Sequence, residues 1–522
     1  MIIVGLGGIL KDAACAVMKD GRLLAAVEEK KVSRSWEPGQ VPSASIAECL
    51  RLVGAHPSEV DCVAVVRPFA SGSETAFHLH VRSMFPASRL VLVEHQTAHA
   101  ASAYYASGFD QGTVLTLDRA GDLRCGARFS AAGSHLRLES EYYYPDSLGD
   151  LYSRTTELLG FQPAADEHKV QWLSTAGDDS LLPLFREILM GYSGRIDPSF
   201  FDAGRMSGGG FSAKFYDRLG LKDGAPIPEN MKPSIARGLQ RAIEFTAAEL
   251  AGTGSNLCLA GGLFYNALLV ASLEQSGRWK NVFVQPVAGN AGTALGAAFH
   301  AWHGVYQQSL SVEKAGLFLG PSYTPEEIKK VLENCKLGFK YLPTSDELID
   351  SAIKLIHGNQ IVAWMQGRAE FGPRALGHRS ILASPLDPYS TENLNVYIKH
   401  REPFRKFAAS VPAELASEYF EVGRNARFLA TVGRVLPKYR KTFESAVLGD
   451  GLVRVHLVDQ NENPLYHRLL HAAGEANGLP VLYNTSFNLF GDPLVCNPRD
   501  AVRSFYSSGI DALFVGNFLL QK

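Results

Sequence analysis

Cysteine is scarce and unpatterned in this chain: seven residues in 522, none in a CxxC pair. That argues against a zinc ribbon or a disulfide scaffold and leads us to expect a reducing compartment. No apolar run approaches the ~20 residues of a membrane-spanning helix. The opening segment "MIIVGLGGILKD" lacks a basic stretch leading into a long apolar one, so no signal peptide is expected. A charge surplus is missing too. The 51 basic and 53 acidic side chains leave −2, so no global field draws in nucleic acid and anion binding has to be local. The expectation is a soluble, cytoplasmic protein with neither membrane nor nucleic-acid partners. Its 46% apolar content supports globular packing, and its length implies two or three domains.

The apolar segments "MIIVGLG", "AACAVM" and "RLLAAVEE" read as strand, strand and strand around a "KDG" turn. The stretch "GTVLTLDRAGDLRCGARFSAAGSHLRLESEYYY" repeats the pattern, which suggests a duplicated α/β unit whose halves face each other across a cleft. "SIAECLRLVGA", "HQTAHAASAYYAS" and "PSIARGLQRAIEFTAAELAG" have helical character. "SNLCLAGGLFYNALL" and "NVFVQPVAGNAGTALG" each run from strand through a glycine turn into a helix. Such turns seat phosphates or simply make tight connections; Gly261, Gly262, Asn266 and Gly289 are the candidate nucleotide contacts. A Gly-Pro break before "SYTPEEIKKVLE" places a domain boundary at residue 320, and beyond it "QIVAWMQG", "VRVHLVD" and "DALFVGNFLL" read as strands.

From Gln366 to Lys406 the chain carries seven Lys or Arg against four Asp or Glu. Arg368, Arg374, Arg379, Lys399, Arg401 and Arg405 are spread among glycine, proline and apolar residues, a composition that lets guanidinium forks converge on a small anion. "VLYNTSFNLFGDP" ends a strand in Asn484, Ser486 and Asn488, which suit either an uncharged amide ligand or an Asx-turn. In "EHQTAHAASAYY", His95 and His99 lie one helical turn apart. With Asp118 at the end of "TVLTLD" they form a candidate metal set.

In their order, "VEEKKVSR", "EHQTAHAASAYY", "LDRAGD", "LYSRTTELLGF", "LAGGLFYNALL", "GNAGTALGAA", "GRAEFGPRALGHRSILASP", "KHREPFRKFAASV" and "LYNTSFNLFGDPLVCNPRDAV" resemble the antibiotic- and nodulation-factor-type O-carbamoyltransferases over nearly the whole chain. The resemblance implies an α/β protein with two domains. A two-lobed, actin-like (ASKHA) carbamoyl-transfer domain would occupy 1–320. An α/β domain like threonylcarbamoyl-adenylate synthase, forming carbamoyl adenylate, would occupy 321–522. It further implies ATP with Mg2+ and carbamoyl phosphate as ligands of the basic cluster, with Asn484, Ser486 and Asn488 on the carbamoyl amide. A hydroxylated small molecule, a secondary metabolite, would be the acceptor. His95, His99 and Asp118 become ligands of a metal ion, iron (Fe2+) in the family.

Two positions depart from that pattern. Lys11-Asp12 stands where the family has His-Asp, so Lys11 is expected to clamp an oxygen and Asp12 to serve as the base. Asn290 replaces an aspartate at the fourth metal position, and Arg119 stands beside Asp118, which should repel a cation. Two alternatives therefore stay open: an enzyme of this architecture with an altered acceptor or acyl donor, working without metal, and a non-catalytic nucleotide-binding relative.

Overall fold

The computed structural model describes residues 1–68, 74–205, 207–310, 316–402, 404–489 and 491–522. The apolar opening becomes strand β1 (Ile2–Gly7), buried along its whole length. A strand buried on both faces has to be central. β1 indeed pairs antiparallel with β2 (Ala14–Lys19) and parallel with β4 (Cys62–Val66), placing Val4 opposite both Val17 and Val63. With β3 (Arg22–Glu28) and β5 (Arg89–Val93) the sheet order is β3-β2-β1-β4-β5.

The second sheet repeats this order. β6 (Gln111–Leu117), β7 (Arg124–Ala132), β8 (His135–Tyr143), β9 (Gly254–Ala260) and β10 (Trp279–Val284) are arranged β8-β7-β6-β9-β10. β6 is antiparallel to β7 and parallel to β9, as β1 is to β2 and β4. The two-lobed, actin-like α/β arrangement is thus present as a duplicated topology.

Four helices position the first site: α1 (His95–Ser107), α2 (Glu167–Leu173), α3 (Lys232–Ala251) and α4 (Thr293–Phe299). α1 follows β5 and α4 follows β10, so they are equivalent helices of the two lobes. They cross at very short range, for a Cβ on Gly296 would lie 1.8 Å from the Ala98 carbonyl. Glycine is required there. Ala98, Ala100, Ala101 and Ala103 of α1 are fully buried, which lets the helix lie between sheets with no bulk to clear.

The remaining strands make one mixed sheet of ten. They are β11 (Lys340–Tyr341), β12 (Val362–Met365), β13 (Arg379–Ala383), β14 (Ala408–Pro412), β15 (Phe420–Glu421), β16 (Val432–Val435), β17 (Leu452–Val458), β18 (Leu482–Ser486), β19 (Ala512–Val515) and β20 (Phe518–Gln521). Their order is β11-β20-β19-β12-β13-β18-β14-β17-β16-β15. Helix α5 (Pro464–Asn477) packs on this sheet. "DALFVGNFLL", expected as one strand, is a hairpin: Gly516 takes φ 52° between β19 and β20, and such a positive φ folds the chain back. The helix expected after the Gly-Pro break spans Pro325–Asn334, with a capping box from Thr324 and Glu327.

The two sheet-bearing halves are pinned by buried charge. Lys31 Nζ donates to the carbonyls of Glu370 (2.9 Å) and Gly372 (2.7 Å), and Glu28 accepts from the Gly372 amide at 2.8 Å. Among the described residues, no helix is long and apolar enough to cross a membrane.

Candidate functional site

His95 opens α1 and His99 follows one turn later, which aims both rings at the end of β6. His95 Nε2 lies 2.9 Å and His99 Nε2 3.2 Å from Asp118 Oδ2, and all three residues are buried. Burial opposes ionisation of Asp118, yet hydrogen bonds from the two imidazoles outweigh it and hold the carboxyl well below its usual range. Burial lowers the His99 pKa. Asn290 shares a cavity with Asp118, and its buried Oδ1 has no hydrogen-bond partner. Two imidazoles, a carboxylate and an unpartnered amide oxygen are a donor set that suits a divalent ion of borderline softness. The expected repulsion from Arg119 is moderated: its half-exposed guanidinium pairs with Asp150 at 3.2 Å, while its backbone amide donates to Asp118 Oδ1.

The cavity beside this triad measures about 330 Å³, the lower part of the range for small-molecule sites. Lys11, Asp12, Asp118, Arg119, Glu167, His168, Gly262, Asn266, Gly289 and Asn290 all line it. Lys11 is exposed, its Nζ 3.4 Å from the Ala164 carbonyl. A second cavity of about 320 Å³ is lined by Ser486, Asn488 and Pro373 of the carboxy-terminal half and by Lys30 and Lys31 of the amino-terminal half. Asp12 and Tyr265 border both cavities.

Not all the glycine-turn residues face a cavity. Gly261 is packed against the backbone of β6, where a Cβ would meet the Leu117 carbonyl at 2.2 Å. Asn266 caps the helix Ala267–Gln275 through Leu269 N and exchanges hydrogen bonds with Gln240, so its amide is already satisfied. Gly262 stands against the triad, with 3.0 Å between a built Cβ and Asp118 Oδ1.

The loop "EFGPRALGHR" is organised around one carboxylate. Glu370 Oε1 accepts from the amides of Leu376 (2.7 Å), His378 (2.9 Å) and Arg379 (3.1 Å). The six basic residues then divide, which corrects the expectation of a single anion-binding set. Arg379 is fully buried and its guanidinium donates to the carbonyls of Gln366, Gly367, His378, Pro321 and Cys496. Arg368 donates to the carbonyls of Gly320, Leu24 and Leu319. Both guanidinium groups are held mainly by the main chain, Arg379 through Nη1 and Nη2 and Arg368 through Nε and Nη2. Lys399, also buried, donates to the carbonyls of Ser486 and Asn488 and to Asn488 Oδ1 and so holds the "NTSFN" loop in place.

The other three converge, and a fourth joins them. Arg374, Arg401 and Arg405 lie close enough to Arg454 on β17 to lower its pKa well below the usual value, after burial, which is the larger cause. Burial and then Arg405 bring Arg401 down to about 9. His168 on α2 is driven to about 4, by burial first and then by Arg405 and Arg374. Its Nε2 is buried and unpartnered. Glu402, a carboxylate beside Arg405, is already engaged by Lys169 at 2.7 Å. Cations held together with so little neutralisation form a site for a multiply charged anion.

Sequence reasoning missed Arg454 because it sits inside an apolar strand. The available signal was the alternation "VRVHLV", which puts Arg454 and His456 on one face. Nothing in the order of residues marks His168. On β18, the Asn484 amide donates to the Ala375 carbonyl at 3.1 Å, while its buried Oδ1 is unpartnered and available to an N–H donor.

Family models for the carbamoyltransferase N-terminus and C-terminus match residues 73–299 and 353–522. The chain is 31% identical to the uncharacterized protein sll1178 of Synechocystis, spanning 100% of this chain and 96% of that one. It is 30% identical to nodulation protein NolNO of Sinorhizobium fredii (98% and 79%). It is also 31% identical to 3'-hydroxymethylcephem-O-carbamoyltransferase of Amycolatopsis lactamdurans, over 59% and 57%. Among solved structures, the ROK hexokinase of Thermus thermophilus aligns at 16% identity with a TM-score of 0.30, covering 59% of this chain and 100% of that one. With both halves matched, and a relative 31% identical over essentially the whole of both chains, the chain belongs to the carbamoyltransferase family.

Proposed function

We propose that the chain is an ATP-dependent O-carbamoyltransferase with two working units, 1–320 for transfer and 321–522 for activation. The observation that carries this reading is the convergence of Arg374, Arg401, Arg405 and Arg454, four cations whose neighbouring carboxylates Glu402 and Asp166 are both paired with Lys169. Carbamoyl phosphate and the triphosphate of ATP, with its Mg2+, are anions that such a cluster neutralises. Phosphate balance sets the activation step. Hydrolysis of carbamoyl phosphate releases phosphate and leaves carbamate, whose oxygen attacks the α-phosphorus of ATP and expels pyrophosphate. The product, carbamoyl adenylate, keeps an uncharged amide whose N–H suits the free Asn484 Oδ1.

Transfer then takes place in the amino-terminal cavity. Asp12, which borders both cavities, removes the proton of the acceptor hydroxyl as its oxygen bonds to the carbamoyl carbon and AMP departs. Lys11 at the rim steadies the oxygen that gains charge. A divalent ion held by His95, His99, Asp118 and Asn290, Fe2+ being the family's metal, would supply Lewis acidity in that cavity. His95 and His99 hold their positions through the hydrogen bonds to Asp118. The volume suits a small hydroxylated metabolite. The seven unpaired cysteines suit the reducing cytoplasm.

The test is pyrophosphate release by the purified protein. Release is expected from ATP only when carbamoyl phosphate is present, with one phosphate per pyrophosphate. Folded protein that releases none overturns the proposal.

A further inference from the structure

A second set of two imidazoles and a carboxylate lies outside both cavities. His467 and His471 are one turn apart on α5, and each places Nε2 2.8 Å from the same oxygen of Glu414, Oε1. Glu414 comes from another element, the short 3-10 turn Ala413–Glu418 that leaves β14. The imidazole centroids are 4.6 Å apart, against 4.7 Å for His95 and His99. The three ligand atoms fall within 4.8 Å of one another. The surface set therefore repeats the arrangement of the buried triad: a helical i, i+4 histidine pair and a carboxylate from a separate segment.

We propose that His467 Nε2, His471 Nε2 and a Glu414 oxygen bind a divalent transition ion, Zn2+ being the probe of choice, with water completing a tetrahedron. Imidazole and carboxylate are ligands for which such an ion has high affinity. Bonds of about 2.0–2.1 Å in a tetrahedron set ligand atoms about 3.3 Å apart. The 2.8 Å contacts need to open by about half an ångström. The mobile partner is at hand, since Glu414 is 52% exposed while His467 is 8% exposed and fixed by its helix. His471 is 40% exposed, which gives an ion access from solvent.

The ion would act as a clamp between two segments of the chain. α5 buttresses the anion-binding loop: its N-cap Asn463 donates to the Leu376 carbonyl at 3.1 Å, and Tyr466 fills the space that a side chain at Gly377 would need. Glu414 belongs to the chain that continues from Arg405 through β14. An ion joining the two ties together the segments on either side of the arginine cluster.

The test compares wild type, His471→Ala and Glu414→Gln after chelator treatment, reloading with Zn2+ and desalting. The buried triad is common to all three proteins, so its contribution cancels in the difference. Wild type is expected to retain one more equivalent of zinc than either variant. Added Zn2+ should raise its thermal midpoint by a few degrees more than theirs, because a ion bound only by the folded state stabilises it. Both substitutions are at part-exposed positions, and circular dichroism of the zinc-free proteins checks that they fold alike. Equal zinc retention in wild type and either variant overturns the proposal, whatever the enzyme's activity.

Discussion

Arg379 and Arg454 are arginines on strands of one sheet, and their guanidinium groups meet opposite surroundings. Five main-chain carbonyls surround the first. The second lies near three other arginines and over the ring of Trp172, at 5.7 Å. A guanidinium saturated by carbonyls is part of the scaffold, because removing it leaves several buried acceptors unpaired. One crowded by like charges is a cost to the fold, tolerated where a ligand supplies the missing negative charge. The contrast distinguishes scaffold from site more sharply than burial does, since burial lowers the pKa of both.

The largest expected effect tests the scaffold side. Arg379→Met should destabilise the chain by about 3–5 kcal/mol, measured by denaturant unfolding, because the carbonyls it serves are left buried and bare. Unchanged stability would break the comparison. Next, Arg454→Met should lower carbamoyl-phosphate-dependent pyrophosphate release by ~100-fold, about 2.7 kcal/mol, while the unfolding midpoint holds or rises as repulsion is relieved. A variant that loses stability and activity together would make Arg454 a second Arg379.

A smaller effect comes from His168, the histidine beside the cluster. Its pKa in the folded state, about 4, lies below the unfolded value near 6.5, so the unfolded chain binds the extra proton between those values. Stability is then complete above about pH 6.5 and falls as the pH drops toward 4. His168→Gln should flatten that acid slope by roughly 1–2 kcal/mol, allowing for the solvent that reaches a part-buried ring. Smallest of all, saturating carbamoyl phosphate at pH 5 should narrow the gap between wild type and His168→Gln. A bound anion eases protonation of the ring, and a thermal-shift titration would detect the change.

Much of this was legible in the residues. The apolar runs "MIIVGLG" and "TVLTLD" and the turns after them announced the paired lobes, because strand composition and turn chemistry are local. The spacing of His95 and His99 announced their shared face for the same reason. The functions of the arginines were not legible. Between Gln366 and Lys406 each reads as a cation among glycines, and whether its fork meets carbonyls or other cations depends on segments far away in the chain. Pro321 and Cys496 settle the matter for Arg379, and α2 and β17 for the cluster. From sequence alone Asn266 reads as a phosphate contact, because a glycine turn followed by a helix looks the same with or without a ligand. Its partner Gln240 lies 26 residues earlier, on α3.

What the order of amino acids determined by itself was the set of local elements and the chemical kinds available: the hairpins, the histidine pair, a basic loop rich in glycine and an amide-bearing strand end. Hydrogen-bond geometry and side-chain periodicity act over a few residues, so they can be read without the fold. Tertiary structure alone decided which charges are compensated, that Asp12 borders two cavities, and that Arg454 and His168 belong with Arg374 and Arg405. Electrostatic and desolvation energies depend on distances through space, and only the folded chain fixes those.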